Sequence, residues 1–200
     1  MNYNIFFLIT DSVKVTLFGG LFLVLTPFHY PLAYLIYRSS KRKLSIETLS
    51  FGAFLPDIEI PVLFLIGVHP TRRVLHSIIG SLFLAPLVSV LLYKIYLIFL
   101  YGNWRDSKFK FNIKWLLGIE LGSISHVFLD ALHHSYNPLL WPLTDASFDY
   151  FVLFGNWYIA TYILQTLFFI STMYMFLREF LIQNKNPIAA VRSLLSTPHF

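Results

Sequence analysis

Trp115-Leu-Leu-Gly-Ile-Glu120-Leu-Gly-Ser-Ile-Ser125-His126-Val-Phe-Leu-Asp130-Ala-Leu132 is the stretch that decides how this chain is read. A bilayer core of about 30 Å takes roughly 20 apolar residues as a helix, so the run is a candidate membrane span. Yet it carries Glu120, His126 and Asp130. An ionised carboxylate at the centre of a bilayer costs about 2.5 kcal/mol or more on insertion scales, so these groups need compensation. His126 and Asp130 stand four residues apart, hence one turn apart on one helix face, where both reach a single ion. His133 and His134 extend that face by another turn.

The rest of the chain has the same character. Of its 200 residues 56% are hydrophobic and 12% charged, far from the roughly 25% charged of a soluble domain. Mean hydropathy is +0.65. Such a composition excludes a disordered chain, and nine Gly with ten Pro exclude a collagen-like one. No cysteine is present, which removes disulfides, thiolate zinc fingers and iron–sulfur ligation and leaves nitrogen and oxygen as the metal donors. The expectation is a single all-α domain over residues 1–200, a polytopic helical bundle in the cell membrane. Five apolar stretches define its spans: Leu17–Tyr37, Ile46–Gly67, Leu75–Leu100, Trp115–Leu132 and Tyr150–Leu177. The first is too long for a signal-peptide core and is flanked by Asp11 as well as Lys14.

Net charge is +5, but the cations lie between apolar runs and not in a basic patch interleaved with stacking aromatics. Anionic lipid explains them better than nucleic acid does. Arg38, Lys41, Arg42 and Lys43 follow the first span, Arg105, Lys108, Lys110 and Lys114 the third, and Arg178, Lys185 and Arg192 the fifth. The positive-inside rule makes these regions and the C-terminus cytoplasmic and places the N-terminus outside. Arg72 and Arg73 then sit on the outer side, against the rule.

Thr26-Pro27-Phe28-His29-Tyr30-Pro31 interrupts the first span, and Pro56 and Pro61 the second. Broken helices at membrane depth line cavities. Within the spans lie Asp57, Glu59, Glu120 and Asp130 among the acids, and His29, His76 and His126. A metal cation neutralises several carboxylates at once while neutral imidazoles complete its shell. By depth, His29, Asp57, His76, His126 and Asp130 can meet at one level. Glu59 stands as an undecided ligand. Glu120, six residues before His126, is about 240° away around the helix and faces elsewhere or reaches an outer layer of the site. His69 and His199 read as loop and tail residues. A lone intramembrane His is more often an interhelical hydrogen-bonder than a ligand, so the weight falls on the group.

Five elements in order, Thr-Pro-Phe-His29, Leu-Pro-Asp57-Ile-Glu59, Arg73-Val-Leu-His76-Ser77, Ser-His126-x-x-x-Asp130 and Leu140-Trp141-Pro142, resemble the YdjM-like family of membrane-bound metal-dependent hydrolases. The resemblance spans about residues 24–145, and it implies a helical core similar to zinc-dependent phospholipase C. It implies a first zinc on Asp57, His76, His126 and Asp130, with Asp130 bridging to a second zinc that His29 also binds. Two departures stand out: Glu59 takes the place of an Asp, and Arg72 that of a His. No His is followed by Glu at the His-x-x-x-Glu spacing of the third zinc of the soluble phospholipases. A three-metal site would therefore need His133 or His134 as a substitute.

Two zinc ions, with manganese or iron as alternatives, lower the pKa of a bridging water to about 7 and clamp an in-line displacement at phosphorus. Asp57 is the candidate to orient that water or accept its proton. Arg73, with Arg72, is the candidate to bind phosphate from the outer face. A site reached from within the bilayer favours a phospholipid or another lipid-linked phosphate. Two rivals remain at this level: an ion- or proton-coupled transporter, whose membrane-embedded acids and broken helices look alike, and a structural protein whose buried ions fix helix register. Oligomeric state leaves no mark in the sequence.

Overall fold

A computed structural model describes residues 29–68, 72–101 and 112–196. The start of the expected first span, His69, His199, Arg105, Lys108 and Lys110 lie outside these residues. The described chain is all-helical, without strands. In order it runs α1 (Tyr30–Ser39), α2 (Ile46–Phe54), a 3-10 turn (Pro56–Ile58), α3 (Glu59–Leu65), a π-helical turn (Gly80–Leu84), α4 (Ala85–Tyr101), α5 (Ile113–His133), 3-10 turns at Asp149–Phe151 and Leu153–Gly155, α6 (Trp157–Ile182) and α7 (Pro187–Leu195).

Among the described residues three helices at expected spans are long and apolar enough to cross a membrane: Ile46–Leu65, Ile113–His133 and Trp157–Ile182. The expected third span is a shorter apolar helix, Gly80–Tyr96. Two boundaries shift for local reasons. Leu75 to Ser77 form a turn, not the start of a helix, because Ser77 Oγ donates to Val74 O (2.8 Å) and accepts from Gly80 N (2.9 Å), which ends the turn at Gly80. The last long helix begins at Trp157, not Tyr150. Phe154 and Gly155 both take φ of 61°, which breaks the chain, and Asn156 Oδ1 then accepts from Tyr158 N (3.0 Å) and Ile159 N (3.3 Å) as the N-cap. The amphipathic α7 begins the same way, with Asn186 as its cap and Pro187 at its first position.

α2 is the centre of the bundle, with α1 on one side and α5 on the other. One core joins α1 to α2 through Tyr30, Ala33, Tyr37, Ile46, Leu49 and Ala53. A second joins α2, α4 and α5 through Phe51, Leu55, Tyr93, Trp115 and Ile119. α2 and α5 approach closely because their contact is made of glycine. A Cβ on Gly52 would lie 2.4 Å from Ile119 O, and one on Gly122 would lie 2.3 Å from Leu49 O and 2.8 Å from Ala53 N. Small residues at helix contacts are how bundles pack where lipid removes the hydrophobic drive. α6 has a different environment: Ala160 is its one buried residue, and Tyr162, Ile170, Tyr174 and Leu181 are exposed, as suits a helix facing hydrocarbon.

Candidate metal centre

The close contact of α2 with α5 sets the site. It brings the His126 ring against the end of α2, where Nδ1 donates to Ala53 O at 2.7 Å. In the neutral ring that bond leaves Nε2 as the lone-pair nitrogen. One residue beyond α2 and its C-cap Leu55, Pro56 opens the short turn that carries Asp57, and Asp57 Oδ1 lies 3.5 Å from His126 Nε2. Asp130, one turn along α5, places Oδ2 3.5 Å from the same nitrogen. Pro61 falls in the first turn of α3, where its missing N–H is not needed, so the break at Pro56 leaves helix on both sides.

His76 arrives from the loop before the π turn. Its Nε2 lies 3.6 Å from Asp130 Oδ2 and 3.9 Å from Asp57 Oδ1. Its orientation comes from Glu59, whose Oε2 accepts from His76 Nδ1 (3.0 Å) and from Leu75 N (2.9 Å), while Oε1 accepts from Val74 N at 2.6 Å. Glu59 is thus a positioning residue behind His76, a carboxylate–imidazole pair of the kind that fixes the tautomer of metal-binding histidines. Replacing Glu59 with Ala is expected to weaken metal binding by about 10- to 100-fold in a chelator competition, with Glu120→Ala as the unchanged control.

Four acceptor atoms therefore converge: Asp57 Oδ1, His76 Nε2, His126 Nε2 and Asp130 Oδ2. All four residues are buried, His126 completely. Among the described residues His76 Nε2, His126 Nε2 and both Asp130 oxygens have no hydrogen-bond partner. Were the imidazoles charged donors, they would close on the carboxylates to about 2.8 Å. The four Asp–His separations of 3.5 to 3.9 Å are instead of the size of ligand–ligand separations around a zinc-like ion, about 3.4 Å for ligands about 2.1 Å from it. The ligand atoms of His76, His126 and Asp130 lie within 4.8 Å of one another, as do those of His29, Asp57 and His126. The donor set is that of zinc or a similar divalent ion, so the residues fit the group.

Around the other Asp130 oxygen a second set gathers. Oδ1 lies 3.6 Å from His29 Nε2 and 3.5 Å from His134 Nε2. His29, the residue before α1, stacks on His126 with ring centroids 3.8 Å apart. Burial, and then the Arg72 guanidinium, hold the His134 imidazole well below its ordinary pKa, in the neutral form that a ligand requires. Asp130, His133 and His134 also form a group with ligand atoms within 4.8 Å of one another. His133 is itself fixed by Nδ1 donating to Leu129 O (2.7 Å), and Thr161 Oγ1 donates to the His133 carbonyl. A cavity of about 10 Å³, room for one water-sized occupant, opens here among His29, Asp57, Arg72, Asp130, His133 and His134.

Not every expected residue joins. Arg72 does: Nε is 3.5 Å from Asp130 Oδ2 and Nη2 donates to His134 Nε2 at 3.1 Å. Arg73 is half-buried in the same loop and does not line that cavity. Ser77 holds the turn that presents His76, and Glu120 is half-buried on α5 away from the cluster. Sequence reasoning passed over Gln165, which lines the small cavity with Leu164 and Phe168 from α6. It also passed over Asn137, whose Nδ2 donates to His134 O at 2.7 Å and so ties down the loop after α5. A polar Gln inside a long apolar helix was a usable signal for the first. Nothing local marked the second.

An all-helical membrane protein with a buried cluster of histidines and carboxylates is the class that fold and site define. The family model for YdjM inner membrane proteins matches residues 22–196, and the chain belongs to that family. Neither a curated protein nor a solved structure matches it. The family places the chain in a membrane, and its apolar helices agree.

Proposed function

We propose that this chain is a membrane-embedded, metal-dependent hydrolase that cleaves a phosphoester of a phospholipid or lipid-linked substrate. The observation that carries the reading is the convergence of Asp57, His76, His126 and Asp130, with Asp–His separations of 3.5 to 3.9 Å and, on three of the four residues, buried ligand atoms without a hydrogen-bond partner among the described residues. A buried set of acceptors facing one another needs a cation, and zinc fits the donors best. When bound, such an ion lowers the pKa of a coordinated water to about 7 and stabilises charge on a phosphoryl oxygen.

The chain's own residues supply the remaining parts. Asp57 borders both the four-atom cluster and the water-sized cavity, so its carboxylate accepts the proton of a water attacking phosphorus. The bond from phosphorus to the leaving alkoxide breaks, and the proton passes to that oxygen. Arg72 sets a positive charge at the cavity wall for the phosphate, and Arg73 follows it in the same loop. By the positive-inside rule the cluster faces the outer side and the basic helix ends the cytoplasm. His29, His134 and Asp130 Oδ1 are the set for a second ion. His134 must give up its bond from Arg72 to take that role, so a graded chelator titration is expected to remove one ion before the other.

The test is hydrolysis of an activated phosphodiester and of defined phospholipids by zinc-loaded protein in detergent. Released product is expected from the native chain and a loss of at least about 10³-fold from His126→Ala. Zinc-loaded protein that cleaves no phosphoester but conducts ions in liposomes would move the chain to the transporter class.

A further inference from the structure

At the opposite end of α1 from His29, a second polar cavity has no part in the metal centre. It measures about 330 Å³, is open to the surface, and is bordered by the end of α1, the start of α2, the last turns of α6 and the C-terminal part of α7. Nine residues separate Arg38 from His29, about 14 Å along a helix. Arg38, Arg42 and Arg178 line the cavity, with the hydroxyl-bearing Ser193 and Ser196 and a wall of tyrosine rings. The one carboxylate among its described lining residues, Glu179, accepts from Ser193 Oγ at 2.9 Å. Three guanidiniums thus face a single acid.

Arg42 is held there by the backbone. Lys41 and Arg42 adopt φ of 53° and 62°, the left-handed region, and Arg42 N donates to Tyr37 O at 3.1 Å to close the turn after α1. Two consecutive non-glycine residues in that region are uncommon, and they turn the chain so that Arg42 reaches the same cavity as Arg38.

Next to it lies a cavity of about 280 Å³ with wholly apolar lining, between α6 and α7. Tyr30 and Leu194 border both spaces, and Tyr30 Oη donates to Leu194 O at 2.7 Å where they meet. Phe54, Met173, Phe176 and Leu195 form the apolar wall. A cationic chamber beside a hydrocarbon-lined chamber, at the end of a membrane helix, has the two chemistries of one amphiphile.

We propose that this pair of cavities is a binding site for an anionic phospholipid, its phosphate among Arg38, Arg42 and Arg178 and an acyl chain in the apolar chamber. A free phosphate would use the first chamber and leave the second without purpose. The site is separate from the hydrolase reading and stands or falls without it.

The experiment is thermal unfolding of the detergent-purified full chain with added phosphatidylglycerol, phosphatidylcholine or inorganic phosphate. The native chain is compared with an Arg38→Gln, Arg178→Gln double variant and with Arg42→Gln. These arginines are exposed, so the variants fold. Phosphatidylglycerol at about 100 times its Kd is expected to raise Tm of the native chain by about 5 °C or more. The double variant is expected to lose that shift and Arg42→Gln most of it, with metal content unchanged in both. An equal shift from phosphatidylcholine, or an undiminished one in the double variant, overturns the proposal. An equal shift from inorganic phosphate alone overturns the lipid assignment and makes the chamber a free-anion site.

Discussion

An Asp130→Ala variant is expected to lose bound metal entirely and, even without metal, to unfold more readily than the native chain by about 3 to 5 kcal/mol. Asp130 is the single residue common to both halves of the centre: Oδ2 faces His76 and His126, and Oδ1 faces His29 and His134. It is also the carboxylate beside the Arg72 guanidinium, at 3.5 Å. Without it a half-buried guanidinium and a crowd of imidazoles keep Asp57 as the one acid within the cluster and Glu59 behind His76. Asp130→Asn separates the two effects. It keeps the shape and one acceptor, so stability is expected to fall less than in Asp130→Ala while metal binding falls as steeply. Chemical unfolding in detergent, followed by metal analysis of the folded fraction, reads both. Equal metal content in Asp130→Asn and the native chain would remove Asp130 from the ligand set.

The second large effect is expected far from any ligand. Gly122→Ala adds a methyl that meets Leu49 O at 2.3 Å and Ala53 N at 2.8 Å, backbone atoms that cannot swing away. Overpacking of a core costs about 1 to 3 kcal/mol, and rigid backbone on the facing helix puts this case at the upper end. The damage reaches the site by a short route. Forcing α5 from α2 lengthens the bond from His126 Nδ1 to Ala53 O, now 2.7 Å, and the ring loses what orients Nε2 toward Asp57 and Asp130. A drop in Tm of several degrees together with at least about tenfold weaker metal binding is expected. A stable variant with native metal affinity would show that the two helices have room to adjust.

Much of this was readable from the chain. Apolar runs between basic clusters pointed to five membrane helices, because a run of about 20 apolar residues satisfies its backbone groups in lipid as a helix. Among the described residues three of them are long and apolar enough to span. His126 and Asp130 were legible as a pair because helical spacing is local. Asp57 and His76 came from a different argument, that ionisable groups in apolar spans must find each other, and the structure brings both to His126. Glu59 was undecidable at that level. Whether it binds metal or stands behind His76 depends on the turn at Val74 and Leu75, whose two amide groups it accepts from. The helix start at Trp157 was hidden by the apolar Tyr150–Leu153 segment, where hydropathy continues but Phe154 and Gly155 break the chain. The Gly118-x-x-x-Gly122 spacing, which sequence reasoning passed over, marks the face on which α5 meets α2. Arg72 against His134 could not be anticipated, since 62 residues separate them and a loop decides the meeting.

The most direct test of the metal centre is the metal-to-chain ratio of the detergent-purified native protein, by inductively coupled plasma mass spectrometry, beside a His126→Ala, Asp130→Ala double variant. The arrangement of Asp57, His76, His126 and Asp130 predicts at least one tightly held zinc-like ion per chain, about two when the His29 and His134 set is also filled, and none in the double variant. Folded native protein that holds no divalent metal after zinc is supplied would contradict it.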